Sequence, residues 1–142
     1  MKAVVFCVLM LSVISCSVKP EPLAYGKDAC YACKMTLVDN RFGAEIITNK
    51  GKIYKFDDVN CMVGFYKSGD VASIDVHSIL VVNYSQSDNM VDATRALYVQ
   101  SNDVRSPMGS EVAAFAQRKQ AEDQNETWKG KVLNWNEVLL AF

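Results

Sequence analysis

Ala44-Glu45-Ile46-Ile47-Thr48 and Lys52-Ile53-Tyr54-Lys55-Phe56, joined by Asn49-Lys50-Gly51 and followed by Asp57-Asp58-Val59-Asn60-Cys61-Met62-Val63, decide how the rest of the chain is read. Two short runs rich in β-branched and aromatic residues around this turn predict a hairpin, with Gly51 supplying the positive-φ position. Asp57 or Asp58 then caps a helix in which Val59, Met62, Val63 and Tyr66 stand at i, i+3, i+4 and i+7, and Ser68-Gly69 closes it. Downstream, Ser78-Ile79-Leu80-Val81-Val82-Asn83 is an apolar run bounded by polar residues, the profile of a strand buried on both faces. The first unit reads β-β-α-β.

The polar, breaker-rich stretch Ser85-Gln86-Ser87-Asp88-Asn89 marks a boundary, and a second unit of similar element order follows. Arg95-Ala96-Leu97-Tyr98-Val99 predicts a strand. Ser106-Pro107 predicts a helix start, Ser as N-cap and Pro at the first helical position, with Val112, Phe115, Ala116 and Lys119 continuing the face. That helix is expected to fray by Asp123-Gln124-Asn125, before a closing strand at Trp128–Leu133 and a last apolar segment at Asn136–Phe142. The expected fold class is α+β: two small β-β-α-β units, residues 27–85 and 86–142.

Upstream of the hairpin the chain carries an address. Lys2 precedes the mostly apolar run Ala3–Ile14, too short to span a bilayer but of signal-peptide length. The run ends in Val13-Ile14-Ser15-Cys16, the order of residue types in a bacterial lipobox, in which the cysteine becomes the lipidated first residue. Residues 1–15 are thus expected to be a signal peptide and Cys16 a membrane anchor. Residues 16–26, with Pro20 and Pro22, read as an extended lipidated tether.

Composition bounds the function. The chain has 142 residues, half of them hydrophobic, with 15 Lys+Arg against 16 Asp+Glu and a net charge of −1. This balance suits one small globular unit, and the lack of a basic excess argues against nucleic acid as a partner.

The chemistry sits in sulfur. Of the five cysteines, Cys7 lies in the signal and Cys16 at the anchor, leaving Cys30, Cys33 and Cys61. Three thiols cannot all pair within one chain, so at least one is free, shared between chains or held by a metal. Cys30-Tyr31-Ala32-Cys33-Lys34-Met35 puts three sulfurs within six residues, and an extended Cys33–Met35 would turn a thiolate and a thioether to one face. Copper(I) favours such ligands, whereas zinc does not use Met, and His77 as the single histidine makes a conventional zinc set hard to assemble. Other readings stand beside this one. Cys30 and Cys33 can form a redox or static disulfide; Met35 and Met62 can be core residues; Cys61 can be an inert thiol; His77 reads as a surface residue.

Asp28-x-Cys30-x-x-Cys33-x-Met35-Thr36, Arg41-Phe42-Gly43-Ala44-Glu45, Gly51-Lys52-x-Tyr54-x-Phe56-Asp57-Asp58 with Cys61-Met62, and Ser106-Pro107-Met108-Gly109 before Ala113-Ala114-Phe115 together resemble the NosL family of copper-binding lipoproteins. The resemblance covers nearly all of the chain after the anchor. It implies a cell-envelope, periplasm-facing copper(I) chaperone rather than an enzyme, supplying nitrous oxide reductase, with two β-β-α-β units also compared with organomercurial lyase. Position by position it places the thiolate ligand on Cys33 and the thioethers on Met35 and Met108. Cys30 is an addition to that minimal set, and Cys61, Met62 and Asp58, with Asp57, are secondary candidates for a soft or mixed site. The alternatives are a thiol-disulfide oxidoreductase using Cys30 and Cys33, a docking lipoprotein with structural thiols, and an organomercurial-cleaving enzyme built on Cys33, Cys61 and Asp58.

Overall fold

A computed structural model describes residues 18–142; the expected signal peptide and Cys16 lie outside the described residues. The hairpin forms as expected. Strand β1 (Ala44–Thr48) pairs antiparallel with β2 (Ile53–Phe56), and Gly51 takes φ +80° in the turn. Helix α1 (Val59–Ser68) follows, capped by Asp58 and ended by Gly69 at φ +76°, and it buries Val59, Met62, Val63 and Phe65. Strand β3 (Val76–Asn83) returns along the free edge of β1. The β1 strand lies between its two partners.

Strand β4 (Gln86–Asp92) pairs with β3 and completes a four-stranded sheet of order β2-β1-β3-β4. The polar stretch expected to divide the units, and to open the second, is therefore an edge strand of the first sheet. Its side chains are exposed or half-buried, so the apolar signal of a strand is missing while the backbone still finds partners on β3.

The second unit repeats the first in order and pairing. Strand β5 (Leu97–Gln100) is flanked by β6 (Val112–Phe115) and β7 (Lys131–Leu133), in the order β6-β5-β7, with helix α2 (Arg118–Trp128) between β6 and β7 and α3 (Trp135–Ala141) at the end. The fold is thus α+β with two β-β-α-β units, as expected, but the helix predicted from Ser106-Pro107 is displaced. All four residues of β6 are buried, a demand on both faces that a strand meets and a one-sided helix does not. Gly109 and Glu111 at φ +69° and +57° also break any helix there. The α2 helix runs through Asp123-Gln124-Asn125 to Trp128 instead; it buries only Ala121, which is why no apolar period announces it.

Alternation along β6 explains how the units share their interior. Val112 and Ala114 join Tyr98, Val138 and the first unit's Ile46, Phe56, Met62 and Val81 in one core; Ala113 and Phe115 join Val99, Phe42 and Ala121 in another under α2. The sheets also meet directly, Tyr84 N–H donating to Ala114 C=O at 2.8 Å. Neither unit has a private core.

The segment expected to be a free tether is partly docked. Leu23 and Tyr25 pack against the main core, Tyr25 Oη donates to Phe42 C=O at 2.6 Å, and Gly26 N–H donates to Leu37 C=O at 2.7 Å. Gly43, at φ +131°, makes room: a Cβ there would stand 2.6 Å from Leu23 Cδ1 and 2.9 Å from Tyr25 Oη.

Glu45, in the centre of β1, is fully buried, and neither carboxylate oxygen has a hydrogen-bond partner among the described residues. Burial pushes its pKa up to about 7 against the pull of Lys55, its cross-strand partner; the negative charges of Glu21 and Asp28 also raise it. Lys55 is itself engaged, 2.8 Å from Asp28 and 3.4 Å from Glu21. Because the folded state holds this proton more tightly than the unfolded chain, the stability it contributes is full below pH ~4.3 and is lost as pH rises. That loss is complete above about pH 7. Glu45→Gln removes the titration, so in urea unfolding the variant is expected to exceed wild type by on the order of 1–3 kcal/mol at pH 8, with the gap closing towards pH 5.

Candidate metal centre

The cysteine-bearing loop is tightly folded rather than extended. Ala29 and Thr36 form an antiparallel bridge, Cys30 N–H donates to Met35 C=O at 2.8 Å, and Lys34 N–H donates to Cys30 C=O at 2.9 Å. Lys34 adopts φ +65°, so the alternation expected to turn Cys33 and Met35 to one face does not hold. Met35 is instead 56% exposed at the rim, which removes the reading of it as core filler.

Two contacts aim this loop. Tyr31 N–H donates to Lys55 C=O at 2.7 Å, tying the loop to the end of β2, and the Tyr31 ring packs edge-on to Tyr54 and Phe65 at 4.7 and 5.2 Å between centroids. The chain leaving β2 then runs straight into Asp57 and the first turn of α1. The consequence is a cluster: the sulfurs of Cys30, Cys33 and Cys61 and a carboxylate oxygen of Asp57 all lie within 4.8 Å of one another. Cys33 Sγ donates to Asp57 Oδ1 at 3.6 Å. Cys30 and Asp57 are buried, while Cys33 and Cys61 are half-buried, and all three cysteines are free thiols.

The cluster resists carrying its full negative charge. The neighbouring Cys61 side chain holds Cys30 below the ordinary thiol range, to about 4, against the opposing effect of burial. The same contact pushes Cys61 up. Burial raises Cys33, and burial followed by the neighbouring Cys30 lifts Asp57 to about 6. A bound cation relieves this mutual repulsion. Four convergent sulfur and oxygen donors on two supports are therefore a competent metal-binding set.

The remaining expected residues divide. Met62 lies fully buried in the main core. Asp58 faces away from the thiols: its carboxylate accepts from Val59 N–H at 2.7 Å, Met108 N–H at 2.9 Å, and Ser110 N–H and Oγ at 3.3 and 2.5 Å. Asn60 Nδ2 donates to Met108 C=O at 3.0 Å, so the loop carrying half-buried Met108 is held on the start of α1, beside Cys61. His77 is exposed, as expected of a surface residue. Asp57, not Asp58, is the carboxylate of the cluster; its i, i+4 spacing to Cys61 at a helix start was the available signal. The Cys30–Cys33 pair sits in a loop, not at the helix N-terminus that a thioredoxin-type pair uses.

A paired-unit α+β scaffold that brings three free thiols and a carboxylate within 4.8 Å of one another defines a small protein with a group of residues that could hold a metal ion. The NosL family model matches residues 24–141, and the chain belongs to that family. It is similar to the copper-binding lipoprotein NosL of Stutzerimonas stutzeri, with 26% identity over 125 residues, 83% of this chain, and it spans 66% of that relative's length. The crystal structure of the copper chaperone NosL from Shewanella denitrificans shares the fold, with a TM-score of 0.72 and 19% identity over 85% of this chain and 96% of that one. The first relative is named a copper-binding lipoprotein and the second a copper chaperone.

Removing the Asp58 carboxylate leaves the N–H groups of Val59, Met108 and Ser110 without their acceptor. Asp58→Ala is expected to lower stability by about 2–4 kcal/mol in urea unfolding, and Asp58→Asn by less, since its remaining oxygen still accepts.

Proposed function

We propose that this chain is an envelope lipoprotein that binds copper(I) and delivers it to a copper enzyme, nitrous oxide reductase being the client the family resemblance suggests. In this reading Cys33 supplies the thiolate, and Met35 and Met108 the thioethers. The observation that carries it is the meeting, at the first turn of α1, of the Cys33 loop with the loop bearing Met108, beside a rim on which Met35 stands exposed. One thiolate and two neutral thioethers leave copper(I) formally uncharged, and thioethers shed no protons to bind, so release to a client by ligand exchange has no large charge penalty.

The first 15 residues serve as a signal peptide and lipid on Cys16 holds the protein to a membrane, facing the periplasm. Since Leu23 is already packed on the core, the chain between anchor and domain reaches at most about 25 Å. The metal centre therefore works close to the membrane surface, where a membrane-bound assembly partner can reach it. The units at 27–85 and 86–142 act as one body in this reading, because they share their cores.

Anaerobic copper(I) titration against a competing chelator tests the ligand set. Cys33→Ser is expected to abolish tight one-to-one binding, Met108→Leu to weaken it by roughly tenfold or more, and Cys30→Ser to leave it nearly unchanged, with the fold intact in each. Full affinity in Cys33→Ser would overturn the assignment.

A further inference from the structure

Cys30 and Cys61 play no part in that copper(I) set, yet their sulfurs lie within 4.8 Å of each other and of Cys33 Sγ. The three thiols are not equivalent. Cys33 Sγ donates to Asp57 Oδ1 at 3.6 Å, whereas the strongest influence on each of Cys30 and Cys61 is the other's side chain. The Cys33 side chain acts on Cys30 less than the Cys61 side chain does.

We propose that Cys30 and Cys61 are a redox pair that closes to a disulfide in the oxidising envelope and leaves Cys33 as the free thiol of the cluster. The inference rests on the reading of the chain as an envelope protein whose Cys33 is the copper thiolate.

The geometry permits the bond. Sulfurs already within 4.8 Å reach the S–S distance of about 2.0 Å by rotation about the side-chain torsions of two cysteines. The backbone keeps its hydrogen bonds meanwhile, Cys30 N–H to Met35 C=O, Lys34 N–H to Cys30 C=O and Tyr31 N–H to Lys55 C=O.

Exposure sets the order of events, since Cys30 is fully buried and Cys61 half-buried. The oxidant is a reactive disulfide, the chemistry shared by protein thiol oxidases and oxidised glutathione. Cys61 Sγ bonds to one of its sulfurs, the oxidant's S–S bond breaks, and the other sulfur leaves. Cys30 Sγ then attacks Cys61 Sγ, the mixed disulfide breaks, and the second sulfur leaves. In balance, two cysteine thiols and one disulfide become one protein disulfide and two free thiols, which carry away the two cysteine protons and the two electrons.

The count of thiols gives the pairing its consequence. Three thiols within bonding reach in an oxidising compartment leave one over. A bond from Cys33 to either neighbour would remove the copper thiolate. A bond between Cys30 and Cys61 keeps it, and takes away both neighbours that could trap it. The same bond ties the 29–36 loop covalently to the turn of α1 on which the Met108 loop is held.

The test is a peptide map of the protein extracted from membranes in detergent, equilibrated with oxidised glutathione, blocked with an alkylating reagent and digested with trypsin without reduction. Cleavage after Lys27, Lys34, Lys55 and Lys67 releases peptide 28–34, with Cys30 and Cys33, and peptide 56–67, with Cys61. The expected species joins the two, alkylated on Cys33 alone, and Cys33→Ser still yields the joined pair. Copper(I) affinity of the oxidised wild type should stay within about threefold of the reduced protein. An unjoined 28–34 peptide without alkylation, which marks a Cys30–Cys33 bond, would overturn the proposal. So would alkylation of all three thiols after oxidation, loss of the joined pair in Cys33→Ser, or a fall of about tenfold or more in copper(I) affinity on oxidation. Copper(I) binding absent from both forms would instead sink the copper reading and leave the peptide map standing. Should Cys33→Ser not fold, the position of the alkyl group in the wild-type joined species decides: Cys33 is expected, and Cys30 overturns the inference.

Discussion

The buried carboxylate of Asp58 is the joint on which the arrangement depends. It caps α1 in the first unit and, through Met108 N–H and the Ser110 N–H and hydroxyl, holds a loop of the second unit. A charge in the interior is tolerable only when its oxygens are well supplied with donors, and here four groups from two units supply them. The same contacts that satisfy the carboxylate therefore fix the distance between the first turn of α1 and the Met108 loop. Folding itself therefore brings the Met108 loop to the first turn of α1.

On the other side of that turn, a tight loop does the gathering. Tyr31, between the two cysteines, inserts its ring edge-on to Tyr54 and Phe65 and bonds to β2 through its backbone, so Cys30 and Cys33 reach a position that neither strand nor helix provides. The thiols sit at the boundary between core and solvent. Cys30 is sealed, Cys33 and Cys61 are partly open, and Met35 stands outside. The sulfurs thus grade in exposure from Cys30 outward to Met35.

The segment that precedes the cysteine loop is built into the body. Leu23 and Tyr25 lie in the groove that Gly43 leaves open, and Asp28 accepts from both Ala24 N–H and Lys55 Nζ. Glu45, without a hydrogen-bond partner among the described residues, puts an acid at the heart of β1 and a pH-dependent weakness into that sheet.

The β1–β2 hairpin, α1 and the strands around Val81 and Tyr98 were legible because each has a local signature: a glycine turn, an apolar face, or an apolar run. Cys33 and Met35 were legible as candidates from their sulfur-rich spacing, and Met108 only through the family resemblance that the Ser-Pro-Met-Gly block helps to carry. What tertiary structure alone decided were the features without local signature. The polar β4 is a strand because β3 offers an edge; β6 is a strand because both its faces meet a core; α2 is helical while burying only Ala121. Likewise, Asp57 and Asp58 are neighbours of one type, and only the direction of the chain leaving β2 turns one to the thiols and the other to the Met108 loop. Cys61 joins Cys30 across 31 positions through that same turn. Residue type and spacing fix what chemistry is available, whereas convergence of groups distant in sequence depends on packing that no local pattern encodes.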